Sequence, residues 1–299
     1  MKLLIVGSSV EDFIHSGDAI LNQPGGLFYT ASAVDALMGH EDKCYLLTNM
    51  SESQKHHYFP LYNGFNLELV NRVEKLPVIH LFIKEQGERD EKYENLTDPI
   101  KFDTTKIVDM NFDGILVNLI TGYDLDCEAL KGLKSTINSP VFLDIHSLTR
   151  PMKSDGTREF AKIENIDEWL SSVDILQANE TEIMCCGTAE MEELIVENIL
   201  NLGVKIVLVT KGNLGSRMYY KIEGETNSIF AKAHPVTTIN KVGCGDLFGA
   251  TYFMSFLANN DPIKSLYYAN AAGAAVSTYD STALIKNLKN DIDTLLYEK

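Results

Sequence analysis

The sequence predicts an α/β protein with a mostly parallel central sheet and helices on both faces. Two observations carry that prediction. First, short apolar runs recur at Leu3–Val6, Ile115–Ile120, Val141–Ile145, Asp174–Leu176 and Lys205–Thr210. Each is Leu-rich or β-branched and bounded by polar or turn residues, which suits strands buried on both faces. Second, helix-length segments lie between them, at Asp126–Thr136, Glu180–Cys186 and Ala189–Leu202, the last stopped by Gly203. Strand alternating with helix is the pattern of a parallel sheet. Ligands of such sheets bind beyond the carboxyl ends of the strands.

Composition bounds the answer. The chain has 299 residues, 45% of them hydrophobic, without Gly or Pro bias. No linker marks an independent second domain, so residues 1–299 read as one. Lys plus Arg is 26 and Asp plus Glu is 42, giving a net charge of −16. That excess argues against nucleic acid, which needs a basic face, and against an anionic membrane surface. It does not exclude ATP, because local dipoles and Mg²⁺ overrule net charge. No stretch approaches the roughly 20 apolar residues of a membrane span. Cys44, Cys127, Cys185, Cys186 and Cys244 are odd in number and lack Cys-x-x-Cys spacing. A reduced, cytoplasmic protein without a zinc site is expected. The adjacent pair Cys185-Cys186 reads as helix packing rather than a redox couple.

Taken in chain order, Met1–Gly7 reads as the first buried strand. Asn22-Gln23-Pro24-Gly25-Gly26 reads as a tight turn before a buried helix, Leu27–Met38, closed by Gly39. Its alternative role is a backbone surface that lets a small polyol approach the helix N-terminus. Pro77–Ile83 and Lys92–Leu96 read as a hairpin around a charged turn, Lys84–Asp90, either a solvated loop or part of a small β-lid. Asn179-Glu180-Thr181-Glu182 is a capping-box pattern after a strand. A carboxylate there is also placed to organise Mg²⁺ through water. Val207–Gly215 reads as a strand and a Gly-punctuated turn. Asp261-Pro262 opens a helix whose small residues, Ala269–Ala275, suit close packing or a slot for a flat adenine ring.

The most informative stretch is Val242-Gly243-Cys244-Gly245-Asp246-Leu247-Phe248-Gly249-Ala250. The glycines permit a tight turn, and an apolar helical run follows. A helix N-terminus favours an anion. A carboxylate beside it, Asp246, is placed to take a proton from a hydroxyl, and phosphoryl transfer to an alcohol needs that pair. Alone, the motif reads equally as a turn with Asp complementing the dipole. No Gly-x-x-x-x-Gly-Lys-Ser/Thr loop, Gly-x-Ser-x-Gly elbow or His-Glu-x-x-His motif is present. Gly7–Asp12 does not fit the dinucleotide turn of an oxidoreductase.

In order and spacing, these features resemble the ribokinase-like (PfkB) carbohydrate kinase family, from Val6-Gly7 to about Thr278, with Asn240–Phe253 the most specific part. The resemblance implies a three-layer ribokinase-like fold with a small β-lid, formed by segments near 10–22 and 76–97. It implies an ATP-dependent kinase acting on a hydroxyl of a small-molecule sugar or nucleoside, with Mg²⁺ as cofactor, and it leaves a homodimer open. Asp246 would be the base. The N–H groups of Gly243, Cys244 and Gly245 would form the anion hole. Asn179 and Glu182 would position Mg²⁺ and the triphosphate, with Glu182 acting through water. Thr210 and Gly212 would contact the nucleotide, and Asn270 would lie near adenine. Asp12, Gly25 and Gly26 would bind the acceptor, with Thr30 where an Asn is common.

This chain also departs from the family pattern. Asn240-Lys241-Val242 stands in place of Asp-Thr-x, so a monovalent-cation site lacks its carboxylate. Cys244 replaces an Ala, and Lys211 is unusual inside the Thr-x-Gly turn. Asp144–Arg150 differs from the sugar-kinase Asp-x-Asn-x-Arg. A pyrimidine kinase of the same fold and a non-catalytic nucleotide- or sugar-binding regulator are the alternatives.

Overall fold

The computed structural model describes residues 1–84 and 89–297. β1 (Lys2–Val6) opens the chain, followed by β2 (Ser9–Ser16), β3 (Ala19–Gly26) and α1 (Leu27–Leu37). Next come β4 (Lys43–Leu47), β5 (Asn49–Ser51), α2 (Lys55–Tyr62), β6 (Asn71–Val73), β7 (Val78–Phe82) and β8 (Asp90–Glu94). Alternation then sets in: α3 (Thr104–Val108), β9 (Gly114–Asn118), α4 (Cys127–Ser135), β10 (Val141–Asp144), α5 (Ile166–Leu170) and β11 (Ile175–Asn179). α6 (Glu182–Cys185), α7 (Glu192–Asn201) and β12 (Ile206–Thr210) continue it. A hairpin of β13 (Gly215–Ile222) and β14 (Glu225–Lys232) precedes α8 (Cys244–Asn259), α9 (Pro262–Ser277) and α10 (Leu288–Tyr297).

The central sheet has eight strands in the order β14-β13-β12-β11-β10-β9-β1-β4. From β12 to β4 every pairing is parallel, and β13 and β14 add an antiparallel edge. Alternate residues of one strand feed opposite cores. Leu3 and Ile5 join Leu27 of α1, Phe253 of α8 and Leu266 of α9. Leu4 and Val6 join Ile107 of α3, Leu130 of α4, Leu170 of α5 and Ile195 of α7. This is the three-layer α/β arrangement expected from continuous apolar strands.

A second sheet has four strands in the order β3-β2-β7-β8. Its strands lie between residues 9 and 26 and between 78 and 94. The turn expected between β7 and β8 falls largely on residues 85–88, outside the described residues. Asn22–Gly26 is not a turn but the end of β3, paired along its length with β2. Pro24 is tolerated because β3 is an edge strand, where a missing N–H breaks no ladder. The chain passes from β3 into α1 through Gly26, whose φ of 60° and position against the Ser8 carbonyl, 2.5 Å from where a Cβ would sit, require glycine.

Local signals place the helix starts. The Asp126 and Asp261 carboxylates accept from N–H groups of α4 and α9, and Pro262 follows in the first turn of α9. Cys185 and Cys186 are buried, unbridged thiols at the end of α6. Among the described residues no helix is long and apolar enough to cross a membrane.

α8 lies against the sheet where Gly114 leaves room for it. Phe253 is fully buried, its ring tilted against that of Phe142 with centroids 5.4 Å apart. Phe253→Ala should lower the unfolding free energy by about 3–5 kcal/mol, measured by denaturant titration.

Candidate active site

Four parallel strands end side by side on polar residues: β9 on Asn118, β10 on Asp144, β11 on Asn179 and β12 on Thr210. α8 begins above them. Gly243 takes a φ of 81° and lies on the Tyr29 ring, 2.5 Å from the position of a Cβ. The first intrahelical bond runs from the Leu247 N–H to the Gly243 carbonyl at 2.9 Å. The Cys244 N–H makes a longer contact, 3.4 Å, with the Lys241 carbonyl. Gly245 is exposed, so the helix opens to solvent at its positive end.

Two amides dock this first turn. The Asn118 amide donates to Asp246 Oδ1 at 2.6 Å and to Thr30 Oγ1 at 2.8 Å. The Gln177 amide donates to the Gly245 carbonyl at 3.0 Å and to Asp144 Oδ2 at 2.6 Å. Burial pushes the Asp246 carboxyl above its ordinary range, opposed by the Asn118 hydrogen bond and the charges of His146 and Arg89.

Asp12 is on β2 of the second sheet, 3% exposed. Its carboxylate fills the space above Gly25, where a Cβ would fall 2.1 Å from it. Burial pushes Asp12 up to about 8, against the pull of Arg89 and with help from the charges of Asp246 and Glu91. Asp12, Gly25, Gly26 and Thr30 therefore gather on the side where Asp246 stands. Thr30 is fully buried, and its hydroxyl meets Asn118 behind the carboxylate.

A buried ionic cluster links the second sheet to the strand ends. Glu91 of β8 pairs with Arg89 at 2.9 Å and Arg150 at 3.4 Å, with His146 at 3.9 Å. Burial works against its charge, but Arg89, His146, Arg150 and Arg158 hold it at about 2. His146 Nδ1 sits 2.7 Å from Glu182 Oε1. Burial disfavours both charges, yet each stabilises the other, raising His146 and lowering Glu182.

Asn179 and Glu182 form the expected capping box. Asn179 Oδ1 accepts from the Glu182 N–H at 2.9 Å, and Glu182 Oε2 accepts from the Asn179 N–H at 2.8 Å. Both Glu182 oxygens thus hold protein donors. Thr210 pairs with Ser216, whose hydroxyl bonds Asn270 Oδ1 at 3.1 Å, so these residues lie together. The Asn270 amide also donates to the Lys232 carbonyl at 2.9 Å. Gly212, at φ 52°, and Gly273 have open space where a side chain would be. Upstream of α8, Asn240 caps its own turn by accepting from the Val242 N–H, and its N–H is tied to the Ser277 carbonyl.

Asn118, Gln177, Arg89, Glu91 and His146 were not singled out as site residues by sequence reasoning. Asn118 and Asp144 carried one signal, a polar residue closing an apolar strand at the end where α/β sheets bind ligands, and Gln177 lies two residues before the end of β11.

Comparison with known proteins identifies the fold. An Arabidopsis thaliana ribokinase complexed with ribose and ATP superposes with a TM-score of 0.76 at 21% identity, over 99% of this chain and 98% of that one. A pyrophosphate-dependent kinase in the ribokinase family, in a sulfate complex, gives 0.79 at 15% identity, over 97% and 99%. A putative ribokinase II from E. coli with ATP and Mg²⁺ gives 0.72 at 16% identity, over 98% and 99%. The chain has the ribokinase fold. Residues 148–288, which hold α6, β12 and α8, match the pfkB family of carbohydrate kinases. No curated protein matches the chain.

Asp12 gives a test of the electrostatics. Its native proton affinity is raised, so the folded chain loses stability as pH rises from the ordinary carboxyl range towards 8. Asp12→Asn removes that loss. Its melting temperature should exceed the parent's by several degrees near pH 9, with the gap closing towards about pH 5. Thermal scans check this, and a gap independent of pH contradicts it.

Proposed function

We propose that this protein is an ATP-dependent kinase that phosphorylates a hydroxyl of a sugar or nucleoside. The observation that carries the reading is Asp246, held in the open first turn of α8 with Asp12 on the facing sheet. In the step proposed, the acceptor oxygen forms a bond to the γ-phosphorus as the bond to the ADP oxygen breaks. The acceptor proton passes to Asp246. The N–H groups of Gly243, Cys244 and Gly245 stabilise the transferring phosphoryl, which needs positioning and charge more than covalent help. Asp12, Gly25 and Gly26 hold the acceptor, and the second sheet serves as the lid that keeps water out.

Thr210 and Gly212 border the nucleotide in this reading, where Gly212 leaves open space. Mg²⁺ would arrive on the phosphates and neutralise their charge. Among the described residues no cluster of three metal-binding side chains is present, and Glu182 is engaged by His146 and Asn179. A role for Glu182 through water therefore falls beside the ion rather than on it.

A second reading differs in the donor. The Asn270 amide is committed to Ser216 and Lys232 rather than free to meet a base. Some structures of the same fold are pyrophosphate-dependent kinases, one complexed with a pyrophosphate analogue and myo-inositol. Pyrophosphate would need no adenine slot.

One assay separates these readings. Mg-ATP and Mg-pyrophosphate are offered as donors over a panel of sugars, polyols, sugar acids, nucleosides and pyrimidines. Product from pyrimidines alone would favour a pyrimidine kinase, and ligand-induced stabilisation without turnover would favour a regulator. Asp246→Asn should lower turnover by about two to four orders of magnitude while donor binding persists. Unchanged turnover in this variant sinks the assignment.

A further inference from the structure

We propose that Asn118 is a positioning residue that aims the Asp246 carboxylate, occupying Oδ1 so that Oδ2 meets the acceptor. The inference rests on the reading of Asp246 as the base. β9 reads Gly114-Ile115-Leu116-Val117-Asn118, so a buried amide ends an otherwise apolar strand. Packing alone would be met by Leu or Val. Asn118 is 1% exposed, and its Oδ1 is buried with no partner among the described residues. An unpaired buried acceptor is a destabilising feature, so its donor half must supply what the fold keeps it for.

That donor half has two fixed targets. Nδ2 reaches Asp246 Oδ1 at 2.6 Å and Thr30 Oγ1 at 2.8 Å. Thr30 is rigid in the first turn of α1, so the amide is clamped from behind. Turning the amide over would set Oδ1 against the carboxylate, and repulsion prevents it. Among the described residues no other side chain bonds to Asp246, and only its own backbone N–H supports the carboxylate besides, so in this proposal Oδ2 is the oxygen that meets a hydroxyl. A donor on one oxygen favours the charged carboxylate. It thus tempers the effect of burial and keeps the base ionised.

Other charges act on Asp246 as well. His146 and Arg89 favour its ionised form, and the Asp246 charge in turn raises Asp12 of β2, Asp144 of β10 and the Cys244 thiol, which stays neutral. The contribution of Asn118 is separable because removing it changes no formal charge.

Carboxyl ¹³C NMR of the full chain labelled at aspartate tests the proposal without knowledge of the acceptor. The resonance lost in Asp246→Asn identifies the group. In Asn118→Ala its titration midpoint should rise by about one pH unit, a tenfold gain in proton affinity. Thr30→Val, isosteric but without the hydroxyl, should shift it in the same direction by less. If Asn118→Ala fails to fold, Thr30→Val decides alone. A midpoint equal to the parent's in a folded variant overturns the role of Asn118. Phosphoryl transfer then distinguishes the two ideas: loss in Asp246→Asn with no NMR shift in Asn118→Ala overturns the positioning role alone. Transfer that survives Asp246→Asn overturns both.

Discussion

The first turn of α8 is pinned to the strand ends by two side-chain amides, and the other features of the site are arranged around that attachment. Asn118 reaches up from β9 and Gln177 from β11. Each donates once to α8 and once to a neighbouring element, and among the described residues its buried oxygen has no partner. The helix must approach closely for these bonds to form. Gly249 permits this, since a Cβ there would fall 2.6 Å from Gln177 Oε1. Gly243 permits it on the other side, against Tyr29. The glycines that look like a ligand cradle in the sequence thus also serve the seating of the helix.

Charge is distributed in the site against the balance of the whole chain. The net charge is −16, yet Arg89, Arg150, Arg158 and His146 converge on one carboxylate, Glu91. Across from them Asp12 and Asp246 are both pushed towards their neutral forms by burial, and the charge of Asp246 raises Asp12 further. Two acids that resist ionising together, beside a helix N-terminus, make a place where a proton can be held or released near neutrality.

The strands and helices of the central layers were legible because each is long, apolar and punctuated. β1, β9, β10, β11 and β12 lie where continuous apolar runs fall, and Asp126 and Asp261 begin their helices as caps should. β3 was not legible as a strand, because Pro24-Gly25-Gly26 carries turn chemistry, and only an edge position reconciles it with pairing. Asp12, Gly25 and Asp246 were visible through their motifs. Asn118 and Gln177 were not. A lone amide in or at the end of an apolar strand is a weak signal, and its meaning comes from a helix more than sixty residues away in sequence. The ionic cluster was hidden for the same reason: Glu91, His146 and Glu182 belong to separate segments.

The second sheet is fastened at two unlike places. At its root, β3 passes into α1 through Gly26 with no intervening loop, and the Leu27 N–H bonds the Ser8 carbonyl at 3.0 Å. At its far edge, β8 is held by the charges around Glu91. The first is covalent and steric, the second electrostatic. A swing of this sheet would therefore pivot on the Ser8–Leu27 corner, with its cost concentrated at Glu91. Because His146 answers to both Glu91 and Glu182, such a swing would loosen the cap at Asn179 in the same movement. Glu91 at the edge of the second sheet and the cap at Asn179 are in that sense geared to one another through a single imidazole.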